Sequence, residues 1–161
     1  MNQIAPPRQL RRSALRGFET KMSFHINVVL PEHLEFINQV PENDDDIDKW
    51  MEECEKLNLY DAPLDAGAVV YDYWSKIADH LHLPLLAAIY NDGLKLFASE
   101  VPALESELEQ LERHWQENEL AGVERFNWDQ ASAKKDLKER LNYLREAAEV
   151  AKRNRGVLII S

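Results

Sequence analysis

The feature that most constrains the fold is an apolar helical stripe that leads directly into a strand near the end of the sequence. Leucines and alanines recur every three or four residues from Leu137 to Ala151, the spacing of one face of an α-helix. Gly156 is placed to cap that helix, and the apolar run Val157–Ile160 is typical of a central strand. This pattern predicts a sheet with helices packed on it.

Alternation of apolar and polar residues predicts a first strand over residues 23–30. Phe24, Ile26 and Val28 share one side of it, and Pro31 ends it. Helical spacing predicts three more helices. Their apolar faces are Ile47, Trp50, Met51, Cys54 and Leu57; Val70, Tyr73, Trp74, Ile77 and Leu81; and Leu104, Leu108, Leu111 and Trp115.

The sequence Asn91-Asp92-Gly93 predicts a tight turn, because Asp-Gly supplies the positive φ that hairpin turns require. The apolar runs 85–90 and 94–97 on either side are therefore predicted to be two hairpin strands. Residues 61–67, which include Pro63, are predicted to form a loop.

These elements predict an α/β (α+β) fold in the order β-α-α-β-β-α-α-β. A small mixed sheet of about four strands would carry four helices, mainly on one face. The last two helices are predicted to form an antiparallel pair, because the third is rich in glutamate and the fourth in lysine and arginine.

Charge divides the chain into two regions. Residues 1–21 contain five Lys and Arg and one Glu, whereas the rest contains 14 Lys and Arg and 28 Asp and Glu, a net charge of −14. We predict a disordered basic N-terminal extension over residues 1–22 and a single globular α/β domain over residues 23–161. An acidic domain repels nucleic-acid phosphates and anionic membranes, so neither is a predicted partner. The single cysteine, Cys54, indicates a reducing compartment, and the predicted location is cytoplasmic.

No motif of catalysis or cofactor binding is present in the sequence. The five glycines are too far apart for a phosphate-binding loop, and G-x-S-x-G, H-E-x-x-H and C-x-x-C are absent. We therefore predict no catalytic residue, no cofactor and no metal, although an enzyme with a carboxylate site that lacks a standard motif stays open.

Three weaker candidates for chemistry have simpler explanations. Four acidic residues match positions of a calcium loop, but Lys49 occupies the place of the required glycine. His80 and His82 lie two apart, so on one helix they point away from each other. Cys54 lies among glutamates, which disfavour a reactive thiolate.

The acidic run at the start of the first long helix is the predicted partner-binding surface. Carboxylates there could bind lysines and arginines of a partner, and a tyrosine beside them could anchor it. The candidate residues are Asp44, Asp45, Asp46, Asp48, Glu52 and Tyr60.

The segment from Ile89 to Trp115 and the closing stripe from Leu137 to Ile160 resemble small acidic bacterial immunity proteins of polymorphic or contact-dependent toxin systems. The resemblance covers the C-terminal half only and rests on packing patterns. It implies a protein that neutralises a cognate toxin, often a basic nuclease, through an acidic surface.

The leading hypothesis is a cytoplasmic immunity or antitoxin protein that occludes a basic toxin. The alternative is an adaptor or structural subunit, a homodimer that buries the Leu108 and Leu141 stripes between its chains.

Overall fold

The computed structural model describes residues 23–161, so the predicted disordered extension at 1–22 lies outside the described residues. Four strands and six helices follow one another in this part of the chain. The strands are β1 (Ser23–Val29), β2 (Tyr60–Ala66), β3 (Leu94–Phe97) and β4 (Val157–Ile160). The helices are α1 (Leu34–Asn38), α2 (Asp44–Leu57), α3 (67–80), α4 (Pro84–Asp92), α5 (Val101–Glu117) and α6 (Gln130–Asn154). Short 3-10 turns cover Pro31–His33, Ala98–Glu100 and Val123–Phe126.

The α/β class is confirmed, but the predicted mixed sheet is wrong because every pair of neighbouring strands is antiparallel. The strand order is β2-β1-β4-β3, and Ile26 of β1 lies between Ala62 of β2 and Ile160 of β4. The apolar run of β4 does indicate a central strand, yet such a run does not encode whether its neighbours are parallel.

The predicted hairpin at 85–97 is also wrong, because its first half is helix α4. Pro84 occupies the first turn, where its missing N–H is not needed. The buried carboxylate of Glu107 accepts hydrogen bonds from the backbone N–H of Leu85 (3.2 Å) and Leu86 (2.9 Å), at the positive end of the helix. Gly93 does adopt a positive φ of 68°, but it ends a helix and opens β3.

The predicted loop at 61–67 is mostly strand β2. Ala62 and Leu64 are buried, whereas Asp61 and Pro63 are exposed, as expected for one covered face. Pro63 lacks a backbone N–H for a ladder hydrogen bond, and it is tolerated because β2 is an edge strand.

The main hydrophobic core lies between one face of the sheet and the helices. The rings of Trp74 and Trp115 meet edge to face at its centre, with centroids 5.0 Å apart. Leu108 and Leu141 are fully buried within the same chain, so these stripes provide no surface for the homodimer that we considered from the sequence.

The predicted antiparallel pairing of the last two helices, α5 and α6, is confirmed. Glu105 near the start of α5 pairs with Lys152 near the end of α6 (2.9 Å). Glu112 pairs with Arg145 (2.7 Å) and Lys138 (3.8 Å), farther back along α6. The acidic helix therefore faces the basic one along its length.

Gly93 and Gly122 both have positive φ, but their surroundings differ. A Cβ at Gly93 would lie 2.6 Å from the backbone oxygen of Ile160, whereas a Cβ at Gly122 would meet the flexible end of the Arg125 side chain. We expect Gly122→Ala to cost about 1 kcal/mol of unfolding free energy for backbone strain. Gly93→Ala should cost clearly more, because β4 must also shift. Urea denaturation of the two variants tests this, and equal losses would contradict it.

Candidate functional site

The structure brings five of the six predicted partner-binding residues together on helix α2. The side chain of Asn43 caps this helix by accepting a hydrogen bond from the backbone N–H of Asp45 (3.0 Å). The carboxylates that follow lie in the first turns, where the helix dipole favours negative charge. The exposed acids of this group are Asp44, Asp45, Asp46, Asp48 and Glu52.

Tyr60, the sixth predicted residue, lies apart from this group. It is in β2, where its hydroxyl donates a 2.7 Å hydrogen bond to Glu146 of α6. Burial, and then this bond to a carboxylate, raises the pKa of Tyr60 above its ordinary value. The geometry gives Tyr60 a role in holding the edge strand against α6.

Negative charge is concentrated in the residues between β1 and β2. We call residues 31–58 the acidic segment: it contains ten Asp and Glu and two Lys, a net charge of −8 out of −14 for the described chain. Within it, Lys56 forms an ion pair with Glu53 at 3.2 Å, and both side chains are largely exposed. An exposed ion pair of this kind stabilises little, and the segment keeps its net charge of −8.

The acids of α5 provide the contrast. Glu105 and Glu112 are compensated by lysines and an arginine of α6, and Glu109 pairs with Arg113 of its own helix (3.3 Å). The carboxylate of Glu107 caps the N-terminus of α4. Most glutamates of α5 are thus paired within the described chain, whereas the acidic segment contains ten acids and only two lysines.

The acidic segment also carries apolar side chains that its own fold does not fully bury. Ile47 is the one fully buried residue of α2, and the remaining stripe of Trp50, Met51, Cys54 and Leu57 is half-buried. The Trp50 indole donates a 3.0 Å hydrogen bond to the backbone oxygen of Phe36, which joins α1 to α2. Phe36 and Leu59 are 41% and 40% exposed. Carboxylates and partly exposed apolar side chains therefore share one region of the surface.

Cys54 has no nucleophilic setting. Partial burial, and then the charge of Glu53, raises the pKa of its thiol. Among residues 23–161, no three histidine, cysteine or acidic side chains come together as metal ligands. Within the same residues, no helix combines the length and the apolar character needed to cross a bilayer.

A buried carboxyl cluster between β2 and α6 was missed by the sequence analysis. Asp65 accepts a hydrogen bond from the Trp74 indole (3.1 Å) and hydrogen-bonds to Asp136. The Arg140 guanidinium lies 3.7 Å from Asp65 and 3.8 Å from Asp136, and it stacks over the Tyr143 ring. Burial is the largest cause that raises the pKa of Asp65, to about 8, followed by its interaction with Asp136.

No signal in the sequence marks this cluster. Its two carboxylates are separated by 71 positions, and Asp65 lies in a segment that was expected to be loop. The cluster joins the edge strand β2 to helix α6 through polar contacts.

Comparison with known proteins adds no relative: no family model, no curated protein and no solved structure matches the chain.

The raised pKa of Asp65 predicts a pH-dependent stability. Asp65 is protonated in the folded state up to about pH 8 but ionises near 3.8 when unfolded, so its contribution is complete at low pH and is lost as pH rises to about 8. Between these limits, stability should fall by up to about 1.4 kcal/mol per pH unit from this group.

Asp65→Asn keeps the hydrogen bonds of the protonated acid and should flatten that slope. Urea unfolding between pH 5 and 9 measures it, with the exposed surface variant Asp79→Asn as the control that keeps the native slope. An unchanged slope in Asp65→Asn would show that Asp65 is already ionised in the folded protein.

Proposed function

We propose that this protein is a protein-binding domain whose acidic segment, residues 31–58, docks a basic partner. The observation that carries the proposal is that a net charge of −8 and incompletely buried apolar side chains coincide in the acidic segment. Either feature alone is common on protein surfaces. Their combination provides both long-range attraction and short-range contact.

The charge of the segment acts mainly on the association rate. A surface of one sign attracts an oppositely charged partner before contact and can raise the association rate by about ten- to a thousandfold, an effect that salt screens. The partner surface that fits is therefore rich in lysine and arginine.

The apolar side chains act mainly on the lifetime of the complex. The Trp50 indole donates a hydrogen bond to the backbone oxygen of Phe36, so the Trp50 ring is held in place before binding. Aromatic side chains that are fixed in advance lose little conformational freedom on contact, and such residues often dominate binding energy.

An immunity or antitoxin role, as the sequence resemblance implies, is the specific form of this proposal. A stoichiometric, cytoplasmic complex would occlude the basic face of a toxin, and the carboxylates of Asp45, Asp46 and Glu52 would replace the phosphates that a nuclease binds. The acidic, exposed placement of these three residues supports it.

The direct experiment is affinity capture from the native cell extract with matched baits. The first bait is the full chain, the second is Asp45→Asn/Asp46→Asn/Glu52→Gln, and the third is Asp92→Asn/Glu117→Gln/Glu124→Gln. The third removes the same charge from exposed acids outside the segment. A basic protein should bind the first and third baits and be lost from the second.

The kinetics of the purified pair then separate charge from apolar contact. The triple substitution in the acidic segment should lower the association rate at low salt by about tenfold or more, and raising the salt should remove the difference. Trp50→Ala should mainly speed dissociation. A partner that binds the second bait as well as the third, or binding that salt does not change, would refute the proposal.

A further inference from the structure

A second concave site is lined entirely by residues outside the acidic segment. It is a pocket of about 370 Å³ between α3, the end of α5 and the turn that follows α5. The wall contributed by α3 is unusual, because Val70–Ser75 is π-helical between α-helical turns at Gly67–Val69 and Lys76–His80. Inserted π-helical turns are rare and often occur at functional sites.

Two hydrogen bonds hold the walls of this pocket together. The Tyr73 hydroxyl donates to the backbone oxygen of Ala121 at 2.6 Å, across the pocket. The buried indole of Trp115 donates to the backbone oxygen of Tyr73 at 2.8 Å, within the π-helical turn. The cavity is therefore preformed by groups whose hydrogen bonds are already satisfied.

Two of the charged side chains at the rim form an ion pair with each other, and the others do not. Asp72 and Arg125 form an ion pair at 2.9 Å and compensate each other. The side chains of Lys76, His80 and Glu119 make no hydrogen bond or ion pair with any residue of 23–161. Lys76 and His80 are four positions apart on one helix, so they lie on the same side of the pocket. Glu119 is contributed by the turn after α5.

Between the charged groups, the lining is apolar. Ile77 lies next to Lys76 on α3, and Leu120 lies next to Glu119 on the opposite wall, with the Tyr73 ring between the elements. A ligand therefore meets a cationic side, an anionic side and an apolar surface.

We propose that this pocket binds a small zwitterion of the α-amino acid class with an apolar side chain. The carboxylate would contact Lys76 and His80, the ammonium would contact Glu119, and the side chain would lie on Ile77 and Leu120. This inference does not depend on the proposed partner-binding function.

A purely anionic ligand fits the site less well. The formal charges of Asp72, Lys76, Glu119 and Arg125 add up to zero, so the pocket has no net attraction for an anion. Helices α3 and α5 also both end at the pocket, and the C-terminal end of a helix carries partial negative charge. A ligand that has no net charge but carries both an ammonium and a carboxylate group suits this arrangement of charges.

The test uses three probes that share one side chain but differ in the charged groups that they keep: L-phenylalanine, N-acetyl-L-phenylalanine and L-phenylalanine amide. Each is titrated into the isotope-labelled full chain while the imidazole NMR signals of His80 and His114 are followed. L-Phenylalanine should shift both signals in a saturable manner, and each single-charge analogue should bind about tenfold more weakly, the loss of one charge-assisted hydrogen bond.

Surface substitutions assign the two contacts. Glu119→Gln should weaken the binding of L-phenylalanine to the affinity that the N-acetyl analogue shows. Lys76→Met should weaken the binding of L-phenylalanine to the affinity that the amide shows. Lys95→Met on β3 is the matched control and should change nothing. The proposal is wrong if no probe shifts the two histidines, if an analogue binds as tightly as the amino acid, or if neither rim variant weakens binding.

Discussion

The pairing of α5 with α6 is the interaction on which the rest of the structure depends. Helix α6 covers one face of the sheet with its apolar stripe and returns the chain to the central strand β4. Its cations meet the glutamates of α5 on another side, through Lys138, Arg145 and Lys152. The edge strand β2 is fixed to the same helix by the contacts of Asp65 and Tyr60.

This pairing also determines where negative charge is left over. Helix α6 carries seven of the 14 lysines and arginines that follow residue 21, and it uses several of them on the acids of α5 and on the carboxyl cluster. Of the other seven, only Lys49 and Lys56 lie in the acidic segment. The surplus of the chain is therefore gathered on α1 and α2, the same helices that leave Trp50 and Phe36 incompletely covered.

The sequence predicted those elements whose signal is contained within one segment. The stripes of α5 and α6 and the alternation of β1 have one repeating period each, and the structure confirms them. The errors occurred where a distant residue decides the outcome. The run 85–90 is short enough for either helix or strand, and Glu107, 21 positions beyond Leu86, favours the helix by capping it.

The same distinction, between local signals and contacts with distant residues, applies to the candidate site. The exposed acids of α2 all lie within residues 44–52, so the sequence places them on the first turns of one helix. The position of Tyr60 instead depends on Glu146 in a distant helix. The half-exposed state of Trp50 and Met51 was not predictable, because helical spacing shows which side chains share a face but not whether another element covers that face. The pocket at the π-helical turn depends on contacts among three separate elements and has no sequence signature.

The central claim is that Glu52 and Glu55 of the acidic segment lie among like charges, whereas Glu105 and Glu112 of α5 are paired with cations of α6. The thermal stability of two charge-matched variants tests it. Glu52→Gln/Glu55→Gln and Glu105→Gln/Glu112→Gln each remove two negative charges. At low salt, the first should keep or raise the melting temperature because it relieves repulsion, and the second should lower it because it breaks ion pairs across the helix pair. Equal losses in both variants would contradict the account.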